Sequence, residues 1–193
     1  MNHFPVALYQ LFHDLGQLTE AETHTVLKHW RHQFQLQRWE YLSTPDRRDY
    51  YMYFVLAGAL RIYCVNAQGE ETCLGFSYTH SLAGSYPSLI TGEPSVFYVQ
   101  ALSPCTLLGM LWEDFVRIAE TMPNLERCRR ILAEQTLLGR MEREIELFTL
   151  TPAERYERVL KRSPQLFQLV PQKYIASYLG MTPETLSRIR RKR

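Results

Sequence analysis

The stretch PQKYIASYLGMTPETLSRIRRKR, residues 171–193, decides the reading of the chain. Ile175 and Leu179 recur at helical spacing, and Ala176 is small where a second helix would touch the first. Gly180 suits the left-handed conformation that ends a helix. Thr182 can then cap a second helix with Pro183 in its first position. Leu186 and Ile189 turn that helix back onto the first. The pattern predicts a helix-turn-helix. Pro183, Glu184, Ser187, Arg188 and Arg191 are left facing outward as expected base contacts. A glutamate accepts from cytosine N4 and an arginine donates twice to guanine in a major groove. Lys173, Thr182, Arg190, Lys192 and Arg193 are expected phosphate contacts, which add affinity without sequence choice. Glu184 and Arg188 also stand at the spacing of an ordinary surface pair, worth a few tenths of a kcal/mol.

Upstream, Leu150-Thr151-Pro152-Ala153-Glu154 is a domain border: Thr151 and Glu154 make a capping box and Pro152 suits the first helical position. The charge switches there. Residues 151–193 carry ten Lys and Arg, Arg155, Arg158 and Arg162 among them, against three acids. Their net charge is therefore +7, and a total of +2 leaves −5 for the first 150 residues. A basic module behind an acidic body is the footprint of phosphate binding. Before the border, Pro123 opens a long helix. Leu125, Cys128, Leu132, Leu138, Met141, Ile145 and Phe148 share one side of it, and Arg127, Arg140, Glu142, Arg143 and Glu144 stand on the other. Such a stripe packs against a twin helix in a dimer or against its own domain; the pattern favours neither.

From Phe34 to about Met110 the period is two. Phe34, Leu36, Met52, Phe54, Leu56, Leu60, Ile62 and Cys64 alternate, broken by turn signals such as Ala57-Gly58 and Asn66-Ala67-Gln68-Gly69. There is no room for helical crossovers, so the strands are expected to be antiparallel. Residues 5–32 read as short helices, one starting at Thr19-Glu20-Ala21-Glu22. The opening residues lack the basic flank and apolar run of a signal peptide, and no stretch is long and apolar enough for a bilayer, which predicts a cytoplasmic protein. Cys64, Cys73, Cys105 and Cys128 form no CxxC pair and are expected to be reduced thiols. His29 and His32 have no ligand grouping for zinc. With no nucleophile beside a base and no glycine-rich phosphate loop, the chain does not read as an enzyme.

This order of elements resembles the Crp/Fnr family. Tyr53-Phe54-Val55-Leu56-Ala57-Gly58-Ala59-Leu60-Arg61-Ile62-Tyr63 is similar to the family's strand-turn-strand, and Gln172 through Arg188 to its helix-turn-helix. The Pro-Glu-Thr-Leu-Ser-Arg-Ile-Arg-Arg run is similar to the short regulators of Bacteroidetes. The resemblance implies an α+β chain in three parts. These are an antiparallel cyclic-nucleotide-binding-like β-roll over 1–122, a long dimerisation helix over 123–150, and an all-α DNA-binding domain over 151–193. It also implies a homodimer that controls transcription on double-stranded DNA, with RNA polymerase as a partner and recognition helices about 34 Å apart. Where relatives carry a glutamate for the ribose and an arginine for the cyclic phosphate, this chain has Ser85 and Ser95. The candidate effector pocket is thus Gly84, Ser85, Tyr86, Ser95 and Phe97, with no nearby cation. It predicts no tight cyclic AMP binding, no required cofactor and an unknown effector. Backbone N–H groups near Gly84 still offer a weak anion site. No cysteine precedes Cys64 for an iron–sulfur cluster, and His80 alone reads as structural. Phe76, Tyr78, Tyr86, Phe97 and Tyr98 are expected to fill the β-roll core. The family's β wing is expected to be absent, its phosphate contacts taken over by the basic tail. The alternative function is a small-molecule-binding module whose helix-turn-helix contacts protein.

Overall fold

The computed structural model describes residues 4–191, an α+β chain that divides into two units. The first takes the chain up to Arg61 together with Phe76–Gln135; the second takes Ile62–Gly75 and the chain from Thr136 onward.

The first unit opens with α1 (Val6–Gln10), which runs into a π-helical turn, and α2 (Glu20–Leu27). Thr19 starts α2 as its sequence requires. Its hydroxyl accepts the Glu22 N–H at 3.3 Å, and the Glu22 carboxylate accepts the Thr19 N–H at 2.8 Å. Eight strands follow among the described residues, β4 and β5 running into the second unit: β1 (His32–Leu36), β2 (Tyr41–Ser43), β3 (Tyr51–Ala57), β4 (Ala59–Val65), β5 (Glu71–Tyr78), β6 (Leu82–Ala83), β7 (Tyr98–Ala101) and β8 (Cys105–Leu111). They form two four-stranded sheets, β1-β8-β3-β6 and β2-β7-β4-β5. The pairings of β8 with β1 and β3, of β3 with β6 and of β2 with β7 are antiparallel. Gly58 turns β3 into β4 at φ +101°, and a Cβ there would stand 2.5 Å from the Pro104 carbonyl oxygen. A short helix, α3 (Tyr86–Thr91), precedes β7, and α4 (Trp112–Thr121) follows β8. Phe12, Trp30, Met52, Phe54, Met110 and Phe115 meet in one core with Leu125 and Cys128 of α5 (Pro123–Thr149).

The expected alternation fails in β4. Leu60 is buried, but Ile62 and Cys64 are only half-buried, whereas Ala59, Arg61 and Tyr63 are buried. Both faces of this strand are covered near its start, which erases a period-two contrast. Arg61 is 4% exposed because its Nε and Nη2 both donate to Gln100 Oε1, at 2.9 and 2.7 Å. The large aromatics also differ from expectation. Phe76, Tyr78, Tyr86, Phe97 and Tyr98 are all half-buried, and the core is filled from Phe12, Phe54 and Phe115 instead. His80 is exposed at φ +71° with its ring stacked on Phe54.

In the second unit, α6 (Pro152–Arg162), α7 (Leu166–Leu169), α8 (Gln172–Tyr178) and α9 (Pro183–Arg191) follow the end of α5. The predicted capping box is present: Glu154 N–H donates to Thr151 Oγ1 at 3.3 Å, and Thr151 N–H to Glu154 Oε2 at 2.8 Å. The stripe on α5 splits in two. Leu125 and Cys128 are buried, while Leu138, Met141, Ile145 and Phe148 are exposed, Phe148 to 83%. The charged side is not uniformly solvated either, since Arg143 is half-buried and Glu146 buried. Among the described residues no strand follows α9.

Candidate nucleic-acid interface and effector cassette

The bihelical motif is built as its residues dictate. Ile175, Ala176, Leu179 and Leu186 are buried between α8, α9 and the rest of their unit, with Tyr156, Val159, Leu166 and Val170 beneath. Gly180 takes φ +64°, its N–H bonds the Ser177 carbonyl at 3.1 Å and the Met181 N–H reaches Ala176 O at 3.0 Å. These bonds satisfy carbonyls at the end of α8. Thr182 Oγ1 accepts the Thr185 N–H at 3.2 Å and so caps α9.

Every predicted contact residue on α9 within the described range is at the surface. Pro183, Glu184, Arg188, Arg190 and Arg191 are exposed, and Ser187 is half-buried. Thr182 and Lys173 are exposed as well, the Lys173 ammonium lying 4.8 Å over the Tyr174 ring. Lys192 and Arg193 lie outside the described residues. Glu184 and Arg188 form no ion pair. The Glu184 carboxyl is instead held below the usual carboxylate range by its own backbone N–H and by the Thr182 hydroxyl. It stands exposed in the first turn of α9, where the helix dipole favours negative charge.

One arginine counted into the basic module is spent on the fold, and two others, both exposed, stand near a buried acid. Arg155 is 9% exposed and donates to Leu150 O at 2.7 Å, Leu147 O at 3.2 Å and Gly180 O at 3.3 Å. It therefore ties the end of α5 to the turn of the motif. Arg158 and Arg162 stand 3.7 and 3.9 Å from the buried Glu146 carboxylate. On α5, Arg143 donates to Tyr178 O at 2.8 Å and Cys73 O at 3.2 Å, and stacks on the Tyr178 ring at 4.5 Å. Arg140 bonds Leu74 O at 2.8 Å, and Cys73 N–H donates to Ser177 Oγ at 3.0 Å. The tip of the β4–β5 hairpin is thus clasped between α5 and α8. Helical periodicity marks such arginines as solvated; only their long stems allow them to fold back onto carbonyls.

The predicted effector residues are close together, but their polar groups are engaged with one another. Ser85 and Ser95 are buried with their hydroxyls 2.9 Å apart, and the Ser95 hydroxyl donates to Phe97 O at 2.7 Å. The Ser85 N–H at the start of α3 donates to Asp49 Oδ2 at 2.8 Å. Asp49 N–H bonds Ser88 Oγ at 3.0 Å, which in turn donates to Glu93 O at 2.6 Å. Burial pushes the Asp49 carboxyl up, against the Ser85 N–H that lowers it. Gly84 sits at φ +121°. Tyr86 turns edge-on to Trp112 at 5.9 Å, toward α4. An internal carboxylate therefore occupies the backbone donor that the sequence offered to an anion. Asp49 carries no pattern that would have marked it. Among the described residues, no cluster of His, Cys, Asp or Glu fits a metal ion, and all four cysteines are free.

Comparison with known proteins adds three findings. Residues 34–122 match the cyclic nucleotide-binding domain model. The fumarate and nitrate reduction regulatory protein of Vibrio cholerae is 26% identical over 149 residues, which is 72% of this chain and 59% of that protein. The chain thus spans about three-fifths of the length of that regulatory protein. FixK2 of Bradyrhizobium japonicum has a TM-score of 0.72 at 20% identity, covering 83% of each chain. The c-di-GMP responsive regulator CLP of Xanthomonas campestris has a TM-score of 0.68 at 17% identity, covering 90% of this chain and 91% of its own. These structures share the fold.

Proposed function

We propose that the chain is a regulator of the Crp/Fnr type, which binds specific DNA sequences as a homodimer and controls transcription in the cytoplasm, with RNA polymerase as a further partner. The carrying observation is the division of α9, which buries Leu186 completely while Pro183, Glu184, Arg188 and Arg191 stand exposed along one continuous side. Glu184 and Arg188 read base edges, helped by Pro183, Ser187 and Arg191. Lys173, Thr182 and Arg190 hold phosphates, joined by Lys192 and Arg193. With Arg155 committed internally, the phosphate grip concentrates at the motif itself.

Selection from a random duplex pool defines the operator. Arg188→Ala should then lose about 1–3 kcal/mol on the selected site and relax one base position. Lys173→Ala should weaken all duplexes alike and reduce the salt slope by about 1. If neither variant changes binding, the assigned groove face is wrong. The exposed stripe Leu138, Met141, Ile145 and Phe148 supports pairing of two α5 helices. Ile145→Glu should convert dimer to monomer in light scattering.

The cassette supports a regulator that does not bind cyclic AMP tightly. Ser85 and Ser95 satisfy each other, and a cyclic phosphate would meet the Asp49 carboxylate at the one prepared N–H. A low-micromolar calorimetric Kd for cyclic AMP would overturn this.

A further inference from the structure

Beside the cassette, the loop between β2 and β3 lines a half-open cavity of about 160 Å³. Tyr41, Tyr50, Tyr51 and Tyr53 line it with Ser43, Arg47, Arg48 and Asp49. In its wall, Phe34 packs edge-on against Tyr51 and Tyr53 at 5.2 and 5.1 Å. Two opposite charges stand in it uncompensated. Asp49 has one carboxylate oxygen on the Ser85 N–H, and among the described residues no cation pairs with it. The buried Ser43 hydroxyl lies close to the carboxylate without a well-aligned bond. Arg47 and Arg48 are exposed and pair with no acid among the described residues, and Arg48 lies 5.1 Å over the Tyr50 ring.

A lone anion would be repelled by Asp49, and a lone cation by the arginines. A molecule carrying both charges satisfies both. Tyrosine faces beside a carboxylate favour an ammonium, and guanidinium groups favour a carboxylate through paired N–H donors. The volume admits a ligand of roughly ten non-hydrogen atoms or fewer. We propose that this cavity binds a small zwitterion of the α-amino acid class, its ammonium on Asp49 between the tyrosine rings and its carboxylate on Arg47 and Arg48. Asp49 also bonds Ser85 and, through its N–H, Ser88, so the occupied site is joined directly to α3 and the cassette.

The test is an amide NMR titration of the ¹⁵N-labelled full chain with glycine and L-alanine. Methylammonium and acetate, each bearing one of the two charges, serve as comparison at constant ionic strength. The amino acids should shift Ser43, Asp49, Tyr51 and Ser85 saturably, and each half-ligand should bind at least about tenfold more weakly. Asp49→Asn should weaken the amino acids at least about tenfold, because it keeps an acceptor for the Ser85 N–H but drops the charge. Should that variant fail to fold, Arg47→Ala with Arg48→Ala, at exposed positions, must weaken them by a similar factor. Absence of saturable shifts up to about 50 mM overturns the proposal. So does acetate binding as tightly as glycine, which would mark a plain anion site.

Discussion

Replacing Arg155 with methionine separates two readings of the basic module. The guanidinium is 9% exposed and makes one short bond to Leu150 O at 2.7 Å and two longer ones to Leu147 O and Gly180 O at 3.2 and 3.3 Å. A hydrogen bond to a charged donor contributes about 1.5–3 kcal/mol. The short bond deserves that full value, and the long ones a fraction of it. Three carbonyls lose a donor, two of them at the end of α5, where a cation is favoured. Against this, methionine keeps apolar packing and removes the cost of desolvating a guanidinium. The net loss should be about 2–4 kcal/mol, which moves a urea midpoint by roughly 1–3 M for a domain of this size. Urea unfolding followed by circular dichroism measures it, with the exposed Arg188→Met as a control expected within about 0.5 kcal/mol of wild type. Binding to nonspecific DNA should keep its salt slope. If Arg155→Met unfolds like wild type while its salt slope drops by about 1, Arg155 is a phosphate contact and the fastening role is refuted.

Three further outcomes follow from the packing. Arg143→Ala should free the clasped hairpin, raising amide exchange at Cys73 and weakening protection across α8; unchanged exchange at Cys73 would show that Ser177 alone holds it. The raised Asp49 carboxyl means that the native state binds more protons than the unfolded chain, so its contribution to stability falls as pH rises through the native value. Asp49→Asn should therefore exceed wild type in stability at pH 7 and lose that advantage below pH 3.8, as melting curves across pH will show. Burial pushes the Cys128 thiol up to about 11, so at pH 8 a thiol reagent should label the half-exposed Cys64 first and Cys128 only on unfolding. Rapid labelling of Cys128 in the native protein would contradict its burial.

Local signals carried most of the architecture. Thr151 and Glu154 announce a helix start by chemistry confined to four residues, and Gly180 with Thr182 and Pro183 announces a turn in the same way. Their neighbours along the chain are also their partners, so the string of residues contains the interaction. Arg61, Glu146 and Arg155 are different. Each is a charge whose burial depends on a partner chosen by the fold, and Arg61 finds Gln100 across 39 residues. Periodicity assigns a charged position to solvent because most are there; it has no term for an arginine that bends back onto carbonyls. Ser85 and Ser95 were legible as departures from a cyclic-nucleotide pattern. Asp49 was not, because its meaning comes from lying against Ser85 N–H.

The hairpin tip at Ile62–Gly75 belongs with helices that lie far downstream, and this orders events during synthesis. Cys73 bonds Ser177, 104 residues later. At about 5–20 residues per second, a ribosome needs roughly 5–20 s to deliver that partner. For about the first two-thirds of this interval the loop and its thiol wait without Arg140 and Arg143, and to its end without α8. α8 comes later than every other part of the clasp, so a nascent chain stalled before α8 should carry a reactive Cys73 that the folded protein hides.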